Sequence, residues 1–450
     1  MNPHRFIAAS LACATATLLG QGGVVQAAEP PGSTTLVGAP TDHARVDADA
    51  SVAGSAPIDR WTFDSAVLFY SESHRVAALE PVLLARRRTA AGSDFTGRIV
   101  VDVLTGASPI GAVGTDRPQT FTHPSGQGRF IEPANQTPLD SIFQDTRIAL
   151  SADWESPLSR TLRYGLGANV STEYDYRSLS LNARLVKDFN QKNTTLTVAL
   201  AQAQDTIDPV GGVPEAMGRV SAARYSDRPV DDDKSLTDLL VGLTQIVDSR
   251  SFVQLNYGLT VASGYLNDPY KLVSLVDDQG RPFDISASEP SVIYENRPDK
   301  RTRHALYSRY RRLLERNDNI VDVSYRLTSD DWGIVSHTLD TKYRWNLSAH
   351  RYVQTRLRYY TQGAADFYAP FLRQSDPVPV TVSADYRLGD MDAWTLGLEY
   401  GWGRASSPWR VSLEYYLQQP AEPGGKFGVL VSQEISPPVR AIMLRVNKSF

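Results

Sequence analysis

Strict alternation of apolar and polar residues recurs along most of the chain beyond residue 60 and constrains its fold more than any other feature. In the segment 252–261 every second residue is apolar, namely Val253, Leu255, Tyr257, Leu259 and Val261. The polar residues between them form the opposite face, and a period of two is the signature of a strand with one apolar face. Similar segments lie near 61–70, 96–104, 146–154, 162–174, 195–202, 320–327, 334–345, 352–362, 379–388, 394–402 and 409–418. The sequence therefore predicts an all-β protein.

The segment lengths and the connections between segments distinguish a membrane barrel from a soluble sandwich or propeller. The segments have about 10–13 residues, close to the roughly 9–11 of a tilted membrane strand and longer than the 5–6 of most soluble strands. Short polar turns, as at 248–250, alternate with long stretches at 106–143, 206–234 and 266–301. Short periplasmic turns and long extracellular loops are typical of outer-membrane barrels. We therefore predict a transmembrane antiparallel up-and-down β-barrel.

Aromatic residues at the ends of apolar faces support a lipid-facing surface, because Trp and Tyr settle at the two membrane interfaces. They are Trp154, Tyr174, Tyr343, Trp345, Trp394, Trp402 and Trp409. The last segment is amphipathic and ends on Phe450, which resembles the signal that outer-membrane assembly machinery reads. Lys448 departs from that pattern, where an apolar or aromatic residue is usual. We expect outer-membrane lipid and the barrel-assembly machinery as partners.

The number of strands is constrained by parity. About seventeen segments alternate convincingly, whereas bacterial single-chain barrels have an even number of strands. If Lys426–Gln433 supplies one more strand, the barrel has about eighteen. If that segment is a loop, one earlier segment is miscounted and sixteen follow. Both counts stay open at this point.

The N-terminus has the three parts of a secretory signal peptide. A short basic start ending at Arg5 precedes an apolar run at 6–20 and small residues at Val25–Ala27, with cleavage expected before Ala28. Residues 28–58 are rich in Ala, Gly, Ser, Pro and Asp without periodicity, which predicts a flexible segment. The expected organisation is thus a signal peptide at 1–27, this segment at 28–58 and the barrel at 59–450. Export and cleavage place the mature chain in the cell outer membrane.

Composition excludes several classes of function. The only cysteine, Cys13, lies in the leader, so the mature chain has no disulfide and no thiolate chemistry. A formal net charge of −4 argues against nucleic acid as a partner. After the leader, no apolar run is long enough for a helical membrane span. The acidic clusters at 231–233 and 277–278 lack the spacing of a calcium loop, and the histidines lack ligand spacing, so we predict no metal site and no cofactor.

One arrangement hints at catalysis. His123 and Ser125 are two residues apart, with Asn135 downstream, and outer-membrane phospholipases use a Ser-His-Asn set with a similar interval. Pro124 interrupts the pair inside a loop, and we predict no enzyme and no catalytic residues. A lipid hydrolase is the third functional hypothesis.

The polar faces of the predicted strands point into the lumen and carry both signs of charge. The candidate pore-lining residues are Asp322, Arg326, Asp340, Lys342, Arg344, Arg356, Arg358, Asp385, Arg387, Glu399, Arg410 and Glu414. Interleaved signs predict ion pairs across strands. The leading hypothesis is a porin- or transporter-like barrel that passes or binds a small solute. The alternative is a scaffolding barrel that binds a periplasmic or surface protein.

Seven strings spread over positions 59–450 carry a resemblance to a known family. They are LTGASP at 104–109, EYDY at 173–176, DFNQKNTT at 188–195, YENRPD at 294–299, DDWGI at 330–334, DFY at 366–368 and SADYRL at 383–388. With these strings the chain resembles a family of Gram-negative proteins known only as a domain of unknown function and regarded as outer-membrane barrels. The resemblance implies that compartment and fold, and it brings no activity, substrate or site residue.

Overall fold

The computed structural model describes residues 59–125, 128–220, 228–282, 284–286, 289–315, 318–404 and 406–450. The predicted signal peptide and flexible segment lie outside these residues. The described chain closes into a barrel of sixteen antiparallel strands, which confirms the predicted fold class. In chain order these strands are β1 Trp61–Glu72, β2 Ala77–Arg88, β3 Asp94–Pro109, β4 Leu139–Pro157, β5 Leu162–Thr172, β6 Tyr176–Phe189, β7 Thr194–Ile207, β8 Asp232–Asp248, β9 Ser251–Gly264, β10 Lys300–Leu313, β11 Ile320–Asp330, β12 Val335–Ser348, β13 Arg351–Gln362, β14 Met391–Arg404, β15 Ser407–Pro420 and β16 Val439–Ser449.

Each strand pairs with the next one along the chain, and β1 pairs with β16 to close the barrel, with Val67 opposite Val446. Closure leaves no strand edge unpaired, which a sheet surrounded by lipid requires. No helix in the described part of the chain is long and apolar enough to cross a membrane.

The register places the apolar residues of the alternating pattern on the outside. On β9, Leu255 is 46% exposed and Tyr257 39% exposed. Asn256 lies between them on the opposite face, where its side-chain oxygen accepts a hydrogen bond from Gln254 at 3.2 Å. The predicted lipid and lumen faces of this strand are therefore confirmed. A one-residue slip would invert them.

Aromatic side chains cluster at one end of the apolar band, in a group that we call a girdle. This end carries Trp402 stacked on Trp409 with ring centroids 6.1 Å apart. Lys448 belongs to this girdle, because its Nζ lies 4.9 Å from the centre of the Trp409 ring and donates to Ser407 Oγ at 2.6 Å. The lysine that departs from the expected C-terminal pattern thus reaches along an aromatic face to a polar partner at the membrane boundary.

The two ends of the barrel differ in the length of their connections. The end with short turns, such as 249–250 and 349–350, also holds the start of β1 and the end of β16. Long loops occupy the other end, at 110–138, 208–231, 265–299, 363–390 and 421–438. The first three correspond to predicted long loops. By the usual asymmetry of such barrels, the short turns are periplasmic and the long loops extracellular.

One predicted strand is wrong and one segment that was left open is a loop, and together they decide the strand count. The segment Lys426–Gln433 belongs to the last loop and contains a short 3-10 helix, Gly428–Ser432. The segment 379–388 lies in the loop 363–390 and ends in the 3-10 helix Tyr386–Leu388. Asp385 and Arg387 therefore lie in a loop and not on the barrel wall. Sixteen strands follow.

The five long loops pack together into a unit that we call the cap, made of the described residues of 110–138, 208–231, 265–299, 363–390 and 421–438. A three-stranded sheet of Leu272–Val276, Val292–Tyr294 and Phe371–Arg373 runs through it. Its apolar core includes Val113, Val276 and Leu430, which come from three different loops and are fully buried. The cap therefore has its own core and is held by tertiary packing.

Gly428 marks the closest approach within the cap. Its φ is +52°, and a Cβ there would lie 1.8 Å from the backbone oxygen of Gln279. Only glycine combines this left-handed backbone with so close a neighbour. The loop 421–438 is thereby seated directly on the loop 265–299.

The outward register of β9 predicts a large difference between neighbouring substitutions. Tyr257→Arg would place a charge in lipid and should destabilise the folded barrel by about 2–4 kcal/mol. Asn256→Arg should cost much less, because that side chain extends into the polar lumen. Heat-modifiable migration on a gel measures the folded fraction, and the Tyr257 variant should lose its folded band at the lower temperature. Equal losses would contradict the register.

Candidate functional site

The inner wall of the barrel collects most of the predicted pore-lining residues. Pairing across β11–β15 places ten of them on the inner face, namely Asp322, Arg326, Asp340, Lys342, Arg344, Arg356, Arg358, Glu399, Arg410 and Glu414. Asp385 and Arg387 instead lie in the cap above them, as described for the fold. The pore-lining role of these residues remains a prediction, whereas their position around one lumen is a structural fact.

Positive charge is concentrated on one sector of the inner wall. On β10–β13 nine basic side chains share the inner face with three carboxylates, Asp322, Asp330 and Asp340. The basic residues are Arg301, Arg303, Arg309, Arg311, Arg326, Lys342, Arg344, Arg356 and Arg358. The wall across the lumen is mixed, with Glu80 and Asp102 near Arg98 and Arg147. We call β10–β13 the basic wall.

Ion pairs across strands neutralise part of the basic wall. Arg309 holds Asp322 with two nitrogens, at 2.9 Å through Nε and 2.5 Å through Nη2. Arg356 lies between two carboxylates, with Nε 3.0 Å from Asp340 and Nη1 3.2 Å from Glu414. Guanidinium groups suit this arrangement because their fork binds carboxylates with two bonds. Arg309 and Arg356 thus occupy the carboxylates of Asp322, Asp340 and Glu414.

Gly397 makes room for the pair between Arg356 and Glu414. It lies opposite both residues in the register, and a Cβ there would lie 3.0 Å from Glu414 Cγ and 3.3 Å from Arg356 Cβ. A small residue on the inner face thus permits two long side chains to meet. Composition along the strand gave no hint of this role.

Nearer the periplasmic end, an aromatic ring organises the remaining charges. The guanidinium carbon of Arg344 lies 3.9 Å from the centre of the Tyr352 ring. The Tyr352 hydroxyl donates to Glu399 Oε1 at 2.7 Å. Arg410 also faces the lumen, in register with Gly401 next to this group.

An apolar cluster also lies on the inner wall, among the charged residues of the same strands. Residues of β13–β16 and β1–β4, among them Ala66, Val82 and Met443, form one buried cluster. Tyr386 of the cap packs against it. The lumen is therefore asymmetric, with a basic side and a mixed side that includes this apolar cluster.

The cap spans the extracellular mouth from one wall to the other. Leu266 packs on inner-face residues of β7–β9, whereas Tyr386 packs on the sector around β16 and β1. In a closed ring of sixteen strands these two sectors lie on opposite sides. Leu266 and Tyr368 also contact the cluster around Leu388, which links the two contacts through the cap.

A buried ionic cluster joins two loops of the cap. Arg387 Nε donates to Asp385 at 2.8 Å, and its Nη2 lies 2.8 Å from Asp268. Arg297 donates through Nη2 to Asp385 at 2.9 Å and to Glu295 at 3.1 Å. Each of these five side chains is at least nine-tenths buried. Breaking one such pair would leave a charge buried without its partner, which is strongly destabilising.

Further polar contacts tie this cluster to the barrel. The Tyr270 hydroxyl donates to Asp175 at 2.6 Å, in the connection between β5 and β6. Gln362, the last residue of β13, donates to the carbonyl oxygen of Arg387 at 2.9 Å. The cap is thus held at the mouth by contacts on well-separated strands.

Three buried carboxyl groups in and next to the cap have pKa values shifted from their ordinary ranges. Burial raises the pKa of Glu295 to about 7, although Arg297 opposes the shift. Burial also raises the pKa of Asp175 to about 6. Burial alone would raise the pKa of Asp385 as well, but Arg387 and Lys271 hold it well below its usual range. Neighbouring cations decide between these outcomes.

Two of the candidate catalytic residues, His123 and Asn135, have partners outside the predicted set. His123 Nδ1 lies 3.2 Å from Asp140, and its ring packs on Phe130 at 4.9 Å between centroids. Ser125 is fully buried. Asn135 is turned away, since its side-chain oxygen accepts from Gln433 at 2.8 Å. The contacts of His123 and Asn135 anchor the loop 110–138.

The acidic clusters of the loops have structural partners. Asp277 Oδ1 accepts hydrogen bonds from the backbone nitrogens of Gln279 and Arg281, both at 2.9 Å. Asp233 accepts from Thr206 at 2.9 Å. Within the described ranges, no three His, Cys, Asp or Glu side chains converge in a way that would hold a metal ion.

Sequence reasoning missed Asp268, Glu295 and Arg297. They lie in a loop without periodicity, and only their position inside the string at 294–299 singled out the last two. Their partners Asp385 and Arg387 are far away in the chain, so no local pattern connects them.

The fold and its inner wall define a transmembrane β-barrel with a charged lumen and a mouth covered by packed loops. The family model described as "Protein of unknown function (DUF3570)" matches residues 8–450, and the chain belongs to that family. No curated protein matches the chain.

Several solved structures are similar at low identity. The siderophore receptor PirA from Acinetobacter baumannii has a TM-score of 0.40 and 8% identity, covering 81% of this chain and 54% of its own. A bacterial polysaccharide outer membrane secretin has a TM-score of 0.43 and 7% identity, and the match covers 88% of this chain and 99% of the secretin chain. OccK3 (OpdO) from Pseudomonas aeruginosa has a TM-score of 0.38 and 9% identity, and the match covers 87% of this chain and 95% of the OccK3 chain. The chain spans about half the length of the siderophore receptor, and no function is transferred from these distant likenesses.

The raised pKa values predict that the cap loosens as pH rises. Glu295 has an ordinary pKa of 4.5 and a folded one of about 7, so the folded cap holds this proton more tightly than the unfolded loop. Its contribution is complete below about pH 4.5 and is lost as pH rises to about 7. Hydrogen exchange of the amides of Leu272–Val276, corrected for intrinsic rates, should lose protection between pH 5 and 8.

The control for this experiment is Glu295→Gln, which cannot ionise and should remove most of the pH dependence. Asp175→Asn should remove the remainder, because that carboxyl titrates at about 6. Protection that stays constant or rises with pH in the unaltered protein would contradict the prediction.

Proposed function

We propose that the protein is an outer-membrane barrel that holds or passes a small solute, with the cap as its gate at the extracellular end. The observation that carries the proposal is the basic wall, where nine cations face three carboxylates inside a closed lumen. A wall needed only for structure would match its charges or would be apolar. The same barrel has such an apolar cluster around Ala66 and Val82.

The cap favours a gated form of this function. Contacts on opposite walls hold it across the mouth, as Leu266 and Tyr386 demonstrate. Its ionic cluster supplies a set of bonds that can break and re-form together. A transporter-like barrel that opens on demand fits this arrangement better than a permanently open porin.

A scaffolding barrel is the second candidate, and one surface feature favours it. Val378 and Val380 flank Pro379 on the cap, and Val380 is 85% exposed. Apolar side chains on an extracellular loop are suited to contact with a protein partner. This candidate gains if the lumen neither conducts nor admits solute.

The gate can be tested by conductance in planar bilayers. The unaltered protein should show rare and small openings, because the cap spans the mouth. The double variant Asp385→Asn/Arg387→Gln removes two members of the buried cluster and should open more often. Arg281→Gln is the control, since it breaks an exposed pair with Asp116 on the cap and exposed pairs contribute little. No openings from any variant, together with no solute uptake into liposomes, would overturn passage through the lumen and the gate.

We also propose that the chain is exported and loses its leader before residue 28, and that the assembly machinery reads its last strand. The mature protein should then fractionate with the outer membrane, and N-terminal sequencing should start at or near Ala28. The lipid-facing band on the barrel is the physical reason for this destination. Recovery as a soluble periplasmic protein would contradict it.

A further inference from the structure

Arg358 is a buried cation that forms no ion pair within the described residues. The residue lies on the inner face of β13 and is 2% exposed. Its Nε and Nη2 are buried and have no hydrogen-bond partner among the described residues. A guanidinium always carries its charge, so burial without a counter-charge is unfavourable. The site is therefore incomplete as the chain alone builds it.

The nearest carboxylates are committed to other arginines. Asp340 lies directly opposite Arg358 in the register, yet it is held by Arg356 through Nε at 3.0 Å. Glu414 is held by the same guanidinium at 3.2 Å. Arg356 thus forms ion pairs with two carboxylates. Arg358 lies two residues further along the strand and forms no ion pair within the described residues.

A second cation lies beside this position. Lys342 is directly opposite Arg356, so it is the diagonal neighbour of Arg358 on the same face. Diagonal neighbours of this kind lie about 7–8 Å apart at Cα, within reach of long side chains. Asp322, in register with Lys342, is bonded to Arg309, and Lys342 has no ion pair in the described part of the chain. On the other side of Arg358, the register places the buried hydroxyl residue Thr395.

We propose that Arg358 and Lys342 bind an oxyanion of a solute, a carboxylate or phosphate group, at the basic wall. Two cations and a hydroxyl residue offer donors on one face, and these are the groups that recognise such anions. The bound anion would provide the negative charge that balances the Arg358 guanidinium. This inference deepens the proposed function, because it names the class of solute that the lumen holds.

The site should reveal itself in thermal stability. In low-salt buffer without oxyanions, the variant Arg358→Gln should melt at a higher temperature than the unaltered protein, because it removes an uncompensated charge. Added inorganic phosphate or acetate should raise the melting temperature of the unaltered protein and leave the variant unchanged. An arginine with a purely structural role would give the opposite order, with a less stable variant, and that result would overturn the site.

Binding to the full-length protein in detergent measures affinity directly. Titration calorimetry with inorganic phosphate and with acetate should give saturable binding of at least one of them. Arg358→Gln should weaken it by about tenfold or more, the loss expected for a charge-assisted hydrogen bond. Lys342→Gln should also weaken it.

The control is Arg184→Gln, which removes one lumen charge from another sector. Arg184 bonds Glu155 at 3.0 Å, and Glu155 keeps Arg163 at 3.2 Å when Arg184 is lost. This variant should bind the anion as the unaltered protein does. Binding of phosphate alone points to a phosphorylated solute, and binding of acetate alone points to a carboxylate.

The outcomes separate this site from the proposed function. Arg358-dependent binding in a protein that never conducts would support the anion site and overturn passage through the lumen. Openings in bilayers without saturable binding of either probe would support passage and overturn the anion site. Equal weakening by Arg184→Gln and Arg358→Gln would also overturn it, because general lumen charge would then account for binding.

Discussion

Closure of the backbone ladder is the constraint on which the rest of the structure depends. A sheet surrounded by lipid has no water to satisfy free N–H and C=O groups, so each strand must pair on both sides. The pairing of β1 with β16 satisfies this requirement over Asp64–Glu72. Once the ring is closed, the pleat sends alternate side chains to lipid and to lumen. The apolar band and the charged interior are two consequences of the same geometry.

The lumen then has to accommodate many charges in a confined space. Arg356 shares two carboxylates, and Arg309 holds a third with two nitrogens. The cap adds a separate ionic cluster at the mouth, centred on Asp385 between Arg297 and Arg387. In contrast to these paired groups, two nitrogens of Arg358 have no hydrogen-bond partner in the described part of the chain.

The segment 379–388 explains why the strand count stayed open from sequence. Its residues alternate as a membrane strand does, but from Val382 to Asp385 both of its sides are buried in the cap. Val382 and Ala384 contact the apolar core of the cap, whereas Asp385 faces the ionic cluster. An extended loop between an apolar and an ionic environment has the same period as a strand between lipid and lumen. Alternation in a sequence indicates that the two faces of a segment meet different environments. It does not indicate whether these are lipid and lumen or two parts of a folded loop.

The sequence by itself determined the fold class, the faces of the strands and the loop asymmetry, because each depends on which environment a residue meets locally. It also determined that ten of the twelve candidate residues share the inner wall. Only the tertiary structure decided that the barrel has sixteen strands, that five loops form a cap, and that Asp340 bonds Arg356 and not Arg358. These features rest on contacts between residues far apart in the chain, or on a choice between neighbouring partners. A local pattern of polarity carries no information about either.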